Sequence, residues 1–283
     1  MQELNQQYNN SQNFASSHYE NFPVISLTLP KSIRKHVAVI YQFARQADDI
    51  ADEGNFTSEQ RIINLDEYSN KLKECVNGKY DNAFWSALGN TIDEKKLSSQ
   101  YFHDLLSAFR QDILINRYED FDQINDYCCR SANPIGRLML QLFDIQDESI
   151  YQYSDKICTA LQLTNFYQDV SLDILKNRIY IPLKELDKFG IRENVFEKKQ
   201  INTNFQELMR FQLSRTKKLF KEGRSILKYL PKSFLVQMKM TILGGEKILE
   251  KIEEIDFDVL NFRPKLNKLD YLTIFLKGLF RNV

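Results

Sequence analysis

Proline and glycine are scarce in this chain, 6 and 9 among 283 residues, and few segments alternate apolar and polar side chains with a period of two. That excludes turn-rich β-sandwiches and barrels, which need frequent breakers between short alternating strands. Histidine occurs three times, at the scattered positions His18, His36 and His103. The four cysteines, Cys75, Cys128, Cys129 and Cys158, have no paired C-x-x-C spacing, so neither a zinc site nor a disulfide framework is indicated, and a reducing, cytoplasmic setting is expected. Neither charge predominates: 38 Lys+Arg balance 38 Asp+Glu, which leaves no basic field to gather nucleic acid. No apolar run approaches the ~18 residues of a membrane span. Residues 1–20 are rich in Gln, Asn and Ser and lack the apolar stretch of a signal peptide. The expectation is a soluble protein that at most lies on a membrane surface.

What the chain does have is 43% hydrophobic and 12% aromatic residues, recurring at steps of three and four almost throughout. That period predicts an all-α protein with a sizeable core. Residues 1–18 have the composition of a floppy tail, and residues 19–283 read as a single domain of about ten helices. The first major helix carries the apolar stripe Ile33, Val37, Ile40, Tyr41, Ala44 and Ala47, with Ser32 as its candidate cap.

That helix ends in acid. Tyr41, Arg45, Asp48 and Asp52 are separated by four, three and four residues and share one face, followed by Gly54 as a natural stop. Negative charge in a last helical turn opposes the macrodipole by a few tenths to ~1 kcal/mol per group, so something else must favour it. A second stripe of the same design, Gln162, Asn165, Asp169 and Asp173, again approaches a helix end before Lys176, Arg178 and Pro182. One cluster would pass for solvated surface, whereas two suggest a cation site. Mg²⁺ binds through one or two carboxylates completed by water and phosphate oxygens, so opposed acidic stripes predict a diphosphate ligand. Arg45 and Arg178 are placed to bond the same group, and Asn165 to offer a metal its amide oxygen. Iron is the rival, but di-iron bundles use Glu and Glu-x-x-His ligands, and no histidine lies near either stripe. Asp104 and Asp112, without partners at a suitable spacing, read as surface residues.

Two further features stand out. Residues 121–142 form a helix pattern interrupted by Ser131-Ala132-Asn133-Pro134-Ile135-Gly136, which predicts a kink flanked by small residues. From Phe262 onward, Arg263, Lys265, Lys268, Lys277 and Arg281 accompany Leu266, Leu269, Leu272, Ile274, Phe275, Leu276, Leu279 and Phe280 against the single acid Asp270. This segment is expected to dock on the core, the alternative being an anionic membrane surface.

Asp-x-x-x-Asp at 48–52, Gln-x-x-Asn-x-x-x-Asp-x-x-x-Asp at 162–173 and Arg-x-Tyr-x-Pro at 178–182 together resemble the squalene/phytoene synthases, over roughly residues 18 to 260. The resemblance implies an isoprenoid synthase-type helical bundle with a central cavity. It implies that Asp48, Asp52, Asn165, Asp169 and Asp173 hold Mg²⁺ and diphosphate, that Tyr41, Arg45, Gln162 and Arg178 line the same region, and that Phe22 borders a prenyl cavity. Condensing members of the family usually carry Arg immediately before the first Asp of the second motif, where this chain has Gln168. The kinked helix also lacks the tyrosine of squalene synthases. Asn-Phe-Pro-Val at 21–24, Ser-Ala-Asn-Pro-Ile-Gly at 131–136 and Gly-Gly-x-x-Ile-Leu at 244–249 look most like the bacterial hydroxysqualene synthases of hopanoid squalene pathways. These take presqualene diphosphate to hydroxysqualene without NADPH. Asn133 is then the candidate to position the attacking water, upstream and downstream squalene-pathway enzymes are the expected partners, and any membrane contact is peripheral, at the inner membrane. The alternatives are head-to-head condensation of two farnesyl diphosphates, or a family-fold binding protein that has lost catalysis.

Overall fold

The computed structural model describes residues 2–17 and 29–280, and among these every regular element is helical. Helices α1 (Gln2–Ser17), α2 (Lys31–Asp52), α3 (Ser58–Val76), α4 (Ala83–Lys95) and α5 (Ser99–Leu114) open the chain. The middle comprises α6 (Phe121–Ser131), α7 (Asn133–Leu142), α8 (Glu148–Gln168) and the single turn α9 (Val170–Asp173). Two short helices, α10 (Leu183–Lys188) and α11 (Asn194–Lys198), precede α12 (Thr203–Gly223), α13 (Lys232–Glu254) and α14 (Lys268–Phe280). These elements gather into two compact units, Met1–Leu114 with Pro134–Tyr151, and Ile115–Asn133 with Gln152–Val283.

In the first unit, α2 is held by an aromatic nucleus. Phe43 meets Tyr68, Trp85 and Phe102 at ring-centroid distances of 5.3, 6.2 and 5.1 Å, and the Tyr68 hydroxyl donates to the Phe43 carbonyl oxygen at 3.2 Å. Such buried rings fix the rotation of α2 about its axis and so the direction of its acidic stripe. Its start needs no serine: Pro30 occupies the cap position, its carbonyl accepting from the Ile33 and Arg34 amides, so the expected Ser32 cap is replaced.

The segment read as a floppy tail is α1, packed on α2 and α4. Its polar composition conceals a narrow buried stripe, Tyr8, Ser11 and Ala15, at steps of three and four. The Tyr8 hydroxyl lies 3.0 Å from Thr91 Oγ1 and accepts from Asn90 Nδ2 at 2.9 Å, so one well-bonded tyrosine orders a helix that averages over composition miss.

In the second unit, small residues allow close helix crossings. A Cβ at Gly245 would stand 2.6 Å from Phe220 Cζ, and one at Gly223 would stand 2.7 Å from Ile157 Cδ1. Gly245 of α13 therefore marks a close approach to α12 and α8. The helix pattern is interrupted at Ala132, between α6 and α7, just before the Asn133-Pro134 pair that opens α7.

Candidate active site

Tyr41, Arg45, Asp48 and Asp52 occupy one half-buried face of α2, as their spacing predicts. Arg45 Nη2 reaches Asp49 Oδ1 at 2.8 Å and its Nη1 lies 3.7 Å from Asp48 Oδ2. Burial first, then repulsion from Asp52, push the Asp48 carboxyl up to about 7; Arg45 pulls against them, while Asp112 and Asp49 add further repulsion. Asp112 thus belongs beside this stripe: α5 packs on α2 and leaves it 9% exposed, which corrects its reading as a surface acid. The spacing rule could not find it, because the pairing is tertiary.

The unfavourable helix end also has an answer. Arg61, from α3, donates to the carbonyl oxygens of Ile50 at 3.2 Å, Glu53 at 2.9 Å and Gly54 at 2.8 Å. A guanidinium thereby satisfies the orphan carbonyls and places positive charge at the negative pole of α2. Gly54, at φ +76°, supplies the left-handed turn that exposes them.

The second stripe is not one continuous helix. α8 ends at Gln168, Asp169 sits at the joint with φ −103° and ψ 10°, and α9 carries Asp173. Gln162, Asp169, Asp173 and Arg178 are half-buried and Asn165 is exposed. Gln168 is fully buried, its Nε2 donating to the Pro264 carbonyl at 2.6 Å. That bond holds the preceding residue, Arg263, against Asp169: Nε donates to Oδ1 at 2.6 Å and Nη2 to Oδ2 at 3.1 Å. Sequence reading counted Arg263 only among the C-terminal cations and missed this role, because 94 residues separate the pair. The end of this stripe too is closed by a distant arginine, Arg117, whose Nη1 and Nη2 donate to the Asn177 carbonyl at 2.6 Å and its Oδ1 at 3.0 Å. Tyr180 of the Arg-x-Tyr-x-Pro motif stacks on Phe166, with centroids 3.8 Å apart and planes 7° from parallel, which ties the loop after the stripe to α8.

Asn133 is buried at the start of α7, its Oδ1 accepting from Thr159 Oγ1 at 3.1 Å and its Nδ2 lying 3.7 Å from Cys129 Sγ. Its carboxamide orientation is therefore set by α8. Tyr41 is flanked by Phe14 of α1, with ring centroids 6.4 Å apart. Phe22 lies outside the described residues.

Mg²⁺ fits the donors present. The stripes offer carboxylate and amide oxygens without imidazole or thiolate, and a carboxyl pushed up to about 7 by burial and then by neighbouring acids is one whose charged form a divalent cation favours. Among the described residues, no three His, Cys, Asp or Glu side chains gather closely enough to hold a metal by themselves.

Comparison with known proteins bears on the family. The family model for squalene/phytoene synthases matches residues 15–270. The hydroxysqualene synthase of Zymomonas mobilis subsp. mobilis is 39% identical over 176 residues; the match spans 60% of this chain and little more than half, 57%, of that protein. The hydroxysqualene synthase of Rhodopseudomonas palustris is 30% identical over 259 residues, 89% of this chain and 85% of that one. The crystal structure of squalene synthase HpnC from Alicyclobacillus acidocaldarius superposes with a TM-score of 0.85 at 33% identity, covering 91% of this chain and 97% of that one. With the helical fold and both acidic motifs in place, the chain belongs to the squalene/phytoene synthase family, enzymes that use prenyl diphosphates and typically require a divalent metal.

Proposed function

We propose that this enzyme converts presqualene diphosphate to hydroxysqualene in a Mg²⁺-dependent reaction. The observation that carries the reading is the pair of acidic helix ends, each bearing carboxylates with a guanidinium alongside: Arg45 beside Asp48 and Asp49, Arg263 on Asp169. Asp48, Asp52, Asp169 and Asp173, with the Asn165 amide oxygen, would hold the metal. Bound Mg²⁺ supplies the Lewis acid that neutralises the departing diphosphate. Arg45, Arg178 and Arg263 donate charge-assisted hydrogen bonds to its oxygens, and Gln162 lines the same region. The carbon–oxygen bond breaks with its electron pair leaving on the diphosphate. The aromatic faces of Phe22 and Tyr41 stabilise the rearranging cation.

Water then forms the new carbon–oxygen bond, and its proton passes to diphosphate or solvent. Asn133, whose carboxamide is oriented by Thr159, positions that water. The product is an alcohol, no hydride is consumed, and NADPH is not required. Gln168 supports this branch over condensation, since its buried amide leaves no guanidinium at that position. The reading places the enzyme between one that makes presqualene diphosphate and one that removes the hydroxyl. Because substrate and product carry long apolar chains, it includes peripheral contact with a lipid surface.

The test offers the purified protein farnesyl diphosphate or presqualene diphosphate with Mg²⁺, with and without NADPH, and identifies products by mass spectrometry. A C30 alcohol from presqualene diphosphate, independent of NADPH, is expected. Consumption of farnesyl diphosphate would establish condensation instead, and inertness toward both would point to a binding protein.

A further inference from the structure

Helix α14 is apolar on two sides. Its inner stripe, Asp270, Ile274 and Gly278 at steps of four, lies on α13: Lys251 Nζ meets Asp270 Oδ2 at 2.9 Å, Ile274 and Gly278 are buried, and a Cβ at Gly278 would stand 2.8 Å from Met240 Cγ. The expected docking on the core is thus present, and it uses one face only. On the other side Leu269, Leu272, Leu276, Leu279 and Phe280 recur at steps of three, four, three and one and stay exposed, Leu269 at 73% and Phe280 at 82%. A surface helix ordinarily turns its polar residues that way. Exposed Lys268 borders this face, exposed Lys265 stands just before the helix, and exposed Lys277 lies at the other margin, where it lines the groove between α14 and α13. The one acid of α14, Asp270, is engaged inward by Lys251. The nearby acids of α13 are also engaged, Glu246 by Arg224 and Glu250 by Lys247.

We propose that this outer face of α14 docks on an anionic lipid bilayer, its leucines and Phe280 entering the boundary between headgroups and acyl chains and Lys265, Lys268 and Lys277 meeting lipid phosphates. Charge decides between a bilayer and a second copy of the chain. Two such faces set together would bring lysine rims into contact with no α14 carboxylate left to answer them, whereas an anionic bilayer satisfies the apolar strip and the cations at once. The proposal gives the lipid contact of the presqualene diphosphate reading its surface, and it is tested without turnover.

The full chain is floated with vesicles of phosphatidylglycerol and phosphatidylethanolamine, and separately with phosphatidylcholine alone, the protein being read by immunoblot. Flotation with the anionic vesicles, weakened by added salt, is expected. Lys268→Ser with Lys277→Ser should lower partitioning on the order of tenfold, and Leu272→Ser with Leu276→Ser should abolish it. Both pairs are exposed, and circular dichroism checks that the helices persist; the salt series on the unaltered chain needs no variant. Failure of the unaltered chain to float, equal flotation of the leucine variant, or a dimer in light scattering that Leu276→Ser dissolves while vesicles are ignored would each overturn the proposal. A catalytically inert protein that floats would sink the presqualene reading and leave this one standing.

Discussion

Arg263 grips Asp169 with two hydrogen bonds, Nε to Oδ1 at 2.6 Å and Nη2 to Oδ2 at 3.1 Å. That contact holds a guanidinium beside the second acidic stripe, where under the proposed function it would also meet the diphosphate. Arg263→Ala should lower kcat/KM for the diphosphate substrate roughly ten- to hundredfold, the kinetic equivalent of losing charged hydrogen bonds worth about 1.5–3 kcal/mol. Because both side chains are partly solvated, stability should move by less than about 1 kcal/mol. Steady-state kinetics alongside urea unfolding separates the two effects.

The bond from Gln168 to the Pro264 carbonyl gives a complementary outcome. Gln168→Ala removes a buried donor and leaves that carbonyl unpaired, a loss of about 1–3 kcal/mol in urea unfolding. It also frees the chain that presents Arg263, so kcat/KM should fall in the same direction as in Arg263→Ala. The double variant should be no worse in activity than Arg263→Ala alone, a non-additivity that a double-mutant cycle reads directly.

His36 couples stability to pH. It is fully buried, with Nδ1 3.0 Å from Thr91 Oγ1 and Nε2 3.2 Å from Glu94 Oε1. Burial lowers its pKa from 6.5 to about 4, Glu94 opposing and Lys35 assisting. The unfolded chain therefore takes up the proton first. Its contribution is fully present above pH 6.5 and is lost as pH falls toward 4, to a total on the order of 3 kcal/mol. Urea midpoints measured between pH 4 and 8 should show this slope in the native sequence and lack it in His36→Gln.

Metal dependence should follow the carboxylates. Chelation should abolish turnover and Mg²⁺ should restore it, while Asp48→Asn and Asp169→Asn should each lower kcat by roughly 10²- to 10³-fold, the scale for one lost preorganised electrostatic partner. Asp48→Asn carries an opposite signature in stability. Burial, then repulsion from Asp52, push its carboxyl up to about 7, so above that pH the neutral amide removes a poorly solvated and repelled charge and should raise the thermal midpoint measured in chelator.

The acidic stripes were legible in the sequence because helical period alone puts Asp48 beside Asp52 and Gln162 near Asn165. The groups that complete each stripe were not, since Arg61, Asp112 and Arg263 arrive through tertiary packing that no local spacing encodes. The break at Asp169 was hidden for a related reason: residues 170–176 keep helical propensity, and the joint is set beside a loop held by Gln168. Helix α1 escaped because its order depends on the bonds of Tyr8, not on average polarity. In α14 the expected docking on the core is present, but only the structure shows that it uses one face, with the acid turned inward and an apolar face left exposed opposite.

The origin of the product oxygen tests the central claim most directly. With presqualene diphosphate and Mg²⁺ in H₂¹⁸O and no NADPH, the account predicts a C30 alcohol carrying one ¹⁸O, seen as a two-mass-unit shift. A hydrocarbon product, or an alcohol without label, would contradict it.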